Sequence, residues 1–402
     1  METTELVVVG CGPAGATAAR EAARRGVSTI VLERDAVVGS KRVCAAGLRP
    51  GFCATFDLPR SLVHCDTPRL ALFDGHGAEH ELHFGPGHTT TREELDGTMA
   101  ALAAREGAEI RTRSLYRSIR REPGRSVVEY ADLLSGERKT VAARYVFFAQ
   151  GATAQLESRE LGRIANARWR DGLMTTLQYR VYLDRPAAAT AYRTLELHYY
   201  GGRDGRQIIG WMFPKRDHLA IGLGVMGKIE GAALRAELDE FTRRVQARLY
   251  PHAGVVATKT EGHLLYGGMP RPFVADDGIF VGGTAAGFVD ATNGEGIYEA
   301  ALSGRFVAEA VAGERRHAEP AGARYTALVG ARFRARLQHR VRLMRYLEQR
   351  PERYALLFQQ LARTPRLAEV LLTEDCERTM SDRLYLYRQA LRFWARTFAC
   401  RA

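Results

Sequence analysis

Two glycine-bearing patterns in this 402-residue chain have the residue types and spacing to hold a large anion. Gly10, Gly12 and Gly15 form G-x-G-x-x-G within "ELVVVGCGPAGATAAREAARRGVSTIVLER". In such a turn the first glycine permits the reversal, the second lets backbone N–H groups touch a pyrophosphate, and the third lets helix and strand close on each other. Glu33 follows Gly10 by 23 residues, a position from which an acid can hold a ribose hydroxyl pair. Far downstream, Gly283 and Thr284 belong to a Gly-Gly-Thr turn, and Gly294-Glu295-Gly296 opens an apolar stretch. Backbone that bare at the start of a helix suits a ligand that approaches its N-terminus closely.

The elements needed to position these residues are legible around them. Leu6 to Val9 is a continuous apolar run, as in a strand buried on both faces. Ala16, Ala19, Ala22 and Ala23 recur at helical spacing, and Val27 to Leu32 is expected to be the second strand. A strand, a glycine turn, a helix and an acid at the end of the next strand together indicate a dinucleotide, either FAD or NAD(P). Ile279 to Val281 is expected to be a strand that feeds the second glycine turn. A simple dehydrogenase has no need of a second such element hundreds of residues on. A flavoprotein has, because its ring extends away from the pyrophosphate and a helix N-terminus beside it stabilises reduced flavin. FAD is therefore the expected cofactor.

Composition sets the class. The chain is 46% hydrophobic and 26% charged, enough for more than one core in a soluble protein. It lacks an apolar run of about 18 residues, so no transmembrane helix is expected, and "METTELVVVG" lacks the features of a secretory signal. Cys11, Cys44, Cys53, Cys65, Cys376 and Cys400 form no C-x-x-C. No metal site is expected, and a reducing cytoplasm fits. The net charge of +12 favours a pyrophosphate, a phosphorylated substrate or an acidic membrane surface. Nucleic acid is not expected, since no recognition motif accompanies the charge.

"GCGPAG", "VLER", "VCAAGL", "TTREELDGTMAALAAREGAEI", "GWMFPKRDHLAIGLG" and "GTAAGFVDATNGEGIYEAALSG" occur in order. Together they resemble the geranylgeranyl reductase family of FAD-dependent oxidoreductases, nearest its chlorophyll and bacteriochlorophyll branch. The resemblance implies an α/β fold: a Rossmann-type FAD-binding domain of the p-hydroxybenzoate hydroxylase kind, a β-rich substrate domain and a helical C-terminal region. It implies FAD contacts at Ala14, Glu33 with the adjoining Arg34, Cys44, Ala45, Gly47, Arg92, Thr284, Gly296 and Ile297. Cys44 is then beside the flavin, with a chemical role, and Trp211, Phe213 and Pro214 line the substrate cavity. The implied reaction saturates C=C bonds of a geranylgeranyl or other polyprenyl chain, with NADPH or another external donor reducing the flavin. The substrate is a diphosphate, a lipid or a prenylated pigment.

The chain departs from the family pattern at Gln150 and Thr284, where aspartates are usual, and at Ala45 and Ala46, where glycines are usual. Two other readings stay open: an FAD monooxygenase or halogenase, and a non-redox relative that binds a lipid. Trp211 and Phe213, two apart, share one face of a strand. Lys215 and Arg216 read as a solvated charge pair, and Glu295 as an acid complementing the helix dipole. His76, His80, His83 and His88 fit a hairpin better than a metal-binding helix, with His80 and Leu82 on one face.

Three parts are expected: a discontinuous FAD domain (1–60, 88–155 and 270–312), a β-rich substrate domain (61–87 and 156–269) and a helical region (313–402). Arg92 to Arg105 is expected to be a helix. "MTTLQYRVYL", "TLELHYY", "QIIGWMFP" and "HLAIGLGVM" are expected to be successive strands of an antiparallel sheet. In "LYLYRQALRFWARTF", Leu384, Tyr387, Leu391, Trp394 and Phe398 form a stripe beside Arg388, Arg392 and Arg396. The favoured reading packs that stripe on the substrate domain. The alternative lays it on the inner face of a membrane.

Overall fold

A computed structural model describes residues 1–40, 44–154, 156, 159–165, 169–185, 189, 191–315, 319–373 and 377–399. Cys376 and Cys400 lie outside these, as do the side chains of His83 and Phe398. The chain forms two compact units, each assembled from three segments. The first comprises 1–42, 92–173 and 264–338, and the second 43–91, 174–263 and 339–402. This division differs from the three parts read from sequence. Residues 43–60 group with the second unit, and the helices after 313 are shared between both.

The first unit is built on a parallel sheet. The apolar run at the N-terminus forms β1 (Glu2–Val9), the alanine-rich segment forms α1 (Pro13–Arg24), and β2 (Thr29–Leu32) returns beside β1. α2 (Arg92–Arg105) has the bounds expected of it. β3 (Arg138–Phe148) then pairs with β1 on the side opposite β2, placing Val7 beside Val146. β4 (Ile279–Val281) adds to β3, and α3 (Ile297–Glu314) follows it. The central strands are buried on both faces, which explains their unbroken hydrophobicity.

The second unit holds an eight-stranded sheet. Its strands Leu173–Leu183, Thr194–Gly201, Gln207–Pro214 and His218–Met226 match the four expected segments within a residue or two. Neighbouring strands are antiparallel where 207–214 meets 194–201 and 218–226, but 194–201 runs parallel to Cys65–Phe73. One face packs Ile208, Met212, Ile221 and Leu223 against Leu234, Leu238, Phe241 and Val245 of the helix Gly231–Leu249. The other face of 207–214 carries Ile209, Trp211 and Phe213, which stay half-buried. Strands Cys65–Phe73 and Glu79–Thr89 form the hairpin expected around the histidines. There His80 pairs with Asp74 at 2.9 Å and His88 with Asp66 at 2.9 Å. No helix among the described residues is long and apolar enough to cross a membrane.

His218 supplies a pH test of this unit. It is buried, and burial pushes its pKa down to about 4 although Asp217 lies 2.7 Å away. In the unfolded chain the imidazole titrates near its ordinary value of about 6.5. The unfolded state therefore binds more protons between these values, and stability falls as pH drops through that window, by about 3 kcal/mol. Urea midpoints for wild type and His218→Phe should diverge between about pH 7 and pH 4, with the variant the less acid-sensitive.

Candidate cofactor and substrate site

In the first unit the chain leaves β1 at Gly10, where φ is +98° and a Cβ would lie 2.7 Å from the carbonyl oxygen of Ala149. Gly15 is pressed so tightly on the carbonyl of Gly10 that a side chain would overlap it. Gly12 is the N-cap of α1 and offers no side-chain cap, so the first amides of the helix stay available. The guanidinium of Arg92 lies 3.4 Å from where a Gly12 side chain would begin. It is buried and donates to Asp96 at 2.8 and 2.5 Å, which fixes its plane. Glu33 accepts hydrogen bonds from the amides of Cys11 and Asp35 at 2.8 and 2.9 Å. Burial pushes its carboxyl above the usual range. Arg34 points outward, 3.5 Å from Asp35.

The second glycine element belongs to the same unit. Gly283, at φ +55°, starts the turn Gly283–Ala286 and donates its amide to the Ser303 hydroxyl at 3.0 Å. Thr284 is half-buried in that turn. The loop from Asp290 to Gly296 is tied internally. The Asp290 amide donates to the Glu295 carbonyl at 2.7 Å, and the Asp290 carboxylate accepts from the amide and hydroxyl of Thr292 at 2.9 and 2.5 Å. Gly296 caps α3, again without a side-chain cap, and Gly294, Gly296 and Ile297 are at least partly exposed. The acid in the first turn of α3 is Glu299, fully buried, which accepts from Arg336 at 2.7 Å. Arg336 also lies 4.0 Å from Asp290, so one guanidinium serves both ends of the loop.

These two elements meet. A Cβ on Gly283 would sit 3.2 Å from the Cβ of Ala14 and 3.3 Å from that of Ala300. One on Gly304 would overlap the carbonyl of Ala14, so α3 crosses α1 backbone against backbone. The residues fit FAD: a bare helix start for the pyrophosphate, an oriented carboxylate at the end of β2, and a second bare helix start packed beside the first. Arg271, which nothing in the sequence pattern marked, braces the turn before α3. It is buried, donates to the carbonyls of Ala285 at 2.7 Å and Ile164 at 2.8 Å, and lies 4.2 Å over the ring of Trp169. Trp169 in turn donates to the carbonyl of Ala152, just beyond Gln150 and Gly151.

The remaining predicted residues gather in the second unit. Cys44 is half-buried, and its Sγ accepts from the amide of Ala46 at 3.3 Å. The Ala45 carbonyl accepts from the ammonium of Lys215. This corrects the reading of Lys215 as solvated: the side chain is fully buried, held by a loop distant in sequence. A Cβ on Gly47 would lie 2.6 Å from the ring of Phe213, and the Pro214 carbonyl accepts from the Thr89 hydroxyl at 2.6 Å. The loop of Cys44, Ala45 and Gly47 thus seats on the Trp-Met-Phe-Pro strand. Trp211 donates to Gln178 at 2.9 Å, and Gln178 donates to Glu261 at 3.1 Å, with Arg180 2.8 Å from Glu261. Gly222 makes room for the indole, since a side chain there would overlap it. The glycines of "AIGLG", alternating with apolar residues, were the available signal for that face.

Ala46 keeps a left-handed conformation, φ +45°, although it is not glycine. Such a conformation costs an L-residue about 1–2 kcal/mol. Ala46→Gly is expected to stabilise the protein by about 1 kcal/mol in denaturant titration, after the extra unfolded-state freedom of glycine is subtracted.

Comparison with known proteins agrees with this geometry. The FAD binding domain family matches residues 3–302. The geranylgeranyl diphosphate reductase of Rhodobacter capsulatus is 28% identical, over 79% of this chain and 77% of that protein. A digeranylgeranylglycerophospholipid reductase of Methanothermobacter thermautotrophicus is 30% identical, over 76% of this chain and 78% of that protein. Among solved structures, a geranylgeranyl bacteriochlorophyll reductase-like protein of Thermoplasma acidophilum covers 96% of both chains at 22% identity, with a TM-score of 0.68. A flavin-dependent brominase shares the fold at 17% identity, with a TM-score of 0.71 over 98% of this chain and all of that one. The glycine-lined cradle, the sequence relatives and the shared fold together make this chain a member of the geranylgeranyl reductase family of FAD-dependent oxidoreductases.

Proposed function

We propose that this protein saturates C=C bonds of a geranylgeranyl or other polyprenyl chain. The observation that carries the reading is the half-buried face of Trp211 and Phe213, seated by glycines and joined to the Cys44 loop. FAD bound in the first unit supplies a hydride donor, renewed by NADPH or another external reductant. The amides at Gly12, with Arg92 behind them, would bind the pyrophosphate, and Glu33 would hold the ribose. Thr284 would offer the ribityl chain one uncharged hydrogen bond, and the amides at Gly296 and Ile297 would stabilise negative charge on the reduced flavin. Trp211 and Phe213 hold the isoprenoid chain on the half-buried face, while Pro214 falls on the buried side of the strand and braces it through the Thr89 hydroxyl rather than lining the cavity. An isolated alkene accepts hydride poorly, so orientation and a well-placed proton supply much of the rate. Cys44 is the candidate to hold or deliver that proton. The substrate carries a phosphate, lipid or pigment head, and the protein works in the cytoplasm against the inner face of the membrane.

The test is anaerobic. Bound flavin is reduced, and geranylgeranyl diphosphate is added without oxygen. The expected result is reoxidation of the flavin, with product heavier by two hydrogens per bond reduced. Reoxidation only on admitting oxygen, with no change in polyprenyl mass, would assign the chain to the oxygen-using monooxygenases or halogenases instead.

A further inference from the structure

The last helix, Met380–Ala399, carries an apolar stripe that faces water. Met380, Leu384, Tyr387, Leu391 and Trp394 recur at helical spacing, and each is between 45% and 72% exposed. The favoured sequence reading packed this stripe inward. The structure instead packs the opposite side, where Gln389, Phe393 and Thr397 are buried. Gln360 donates to Gln389 at 3.0 Å, Tyr346 and Thr397 share a hydrogen bond of 2.9 Å, and Phe393 meets the ring of Tyr346 edge-on. Phe393 thus faces the protein together with Gln389 and Thr397, Trp394 leans on the ring of Tyr346 at 4.5 Å, and Met380, Leu384, Tyr387 and Leu391 face out. The start of the helix is fixed as well: Thr379 and Asp382 cap each other through bonds of 3.0, 2.7 and 3.1 Å.

Charge selects among occupants. Arg383 lies on one side of the stripe, and Arg388 and Arg392 on the other, all exposed. A helix with an aromatic and leucine ridge flanked by arginines suits the boundary between lipid headgroups and acyl chains. A second copy of the chain suits it less, because a two-fold pairing of this ridge would bring like arginines together. We infer that this helix lies in the plane of an anionic bilayer, its ridge among the acyl chains and its arginines at the phosphates. The inference deepens the membrane contact proposed above by naming its surface, and it does not depend on the reaction.

Sedimentation with vesicles tests it. The full chain is expected to bind phosphatidylglycerol-containing vesicles about tenfold more tightly than pure phosphatidylcholine vesicles. The double variant Leu384→Ser, Leu391→Ser should lose binding to both. Arg388→Gln with Arg392→Gln should lose only the preference for the anionic vesicles. Both pairs are exposed, so circular dichroism and turnover of substrate in detergent should match wild type. Vesicle binding unchanged by the leucine variant, or no binding by wild type, would overturn the inference. A dimer in sedimentation velocity that the leucine variant dissolves would assign the ridge to a second copy. No turnover by wild type, with vesicle binding intact, would count against the reductase reading alone.

Discussion

Gly304→Ala is expected to weaken FAD binding about 10- to 100-fold without altering any residue proposed to touch the cofactor. Gly304 lies in the middle of α3, where a single methyl group would overlap the carbonyl of Ala14 near the start of α1. The overlap involves backbone on both sides, so no side chain can swing away. Overpacking of this kind costs about 1–3 kcal/mol. The free protein relieves it by letting the two helices part. Binding FAD must then draw the entrances together against the strain, which weakens affinity about 10- to 100-fold. Flavin fluorescence on titration with FAD reads the dissociation constant directly. Gly330→Ala is the control, because nothing lies within 4 Å of that position in its helical setting. It should bind FAD as wild type does. Equal affinity for Gly304→Ala and wild type would show that the helix crossing does not set the cradle.

Arg336→Met is expected to have the next largest effect. It removes the guanidinium shared by the buried carboxylates of Glu299 and Asp290, which close the loop Asp290–Gly296 from either end. Removing one partner from a buried ion pair costs about 3–5 kcal/mol. Denaturant midpoints for wild type and variant check this. A variant as stable as wild type would show that the guanidinium does not hold the loop. FAD affinity should fall as well, since the loop carries Gly294 and Gly296.

How much could be read beforehand depended on how far apart the partners lie in the chain. The G-x-G-x-x-G turn, the helix Arg92–Arg105 and the strands around Trp211 were legible because each is specified by neighbours a few residues away. Period-two alternation also showed that Trp211 and Phe213 share a face. Lys215 misled because its setting is made by a carbonyl 170 residues earlier. Local sequence shows only two charges after a strand. Arg271 and Arg336 were invisible for the same reason, since their partners lie up to 107 and 46 residues away. The terminal helix shows a different limit. Its pattern revealed two unlike faces but could not say which one the protein would cover. Beside Phe393, the groups that decide it, Gln360 against Gln389 and Tyr346 against Thr397, meet through polar atoms that carry no hydrophobic signal.

The order of strands in the first unit has a consequence for how the protein is made. β1 is synthesised first, yet it is flanked in the sheet by β3, which ends at Phe148, and the glycine crossing that seats α1 waits for Gly304. Until Phe148 is made one edge of the N-terminal strand is unpaired, and until Gly304 is made the face of α1 that α3 covers stays open. Such a chain folds late and slowly, and is exposed to aggregation and chaperone capture until about three quarters of it has left the ribosome. Ribosome-bound fragments ending before and after residue 304 should differ sharply in protease resistance, and free FAD should protect only the longer ones.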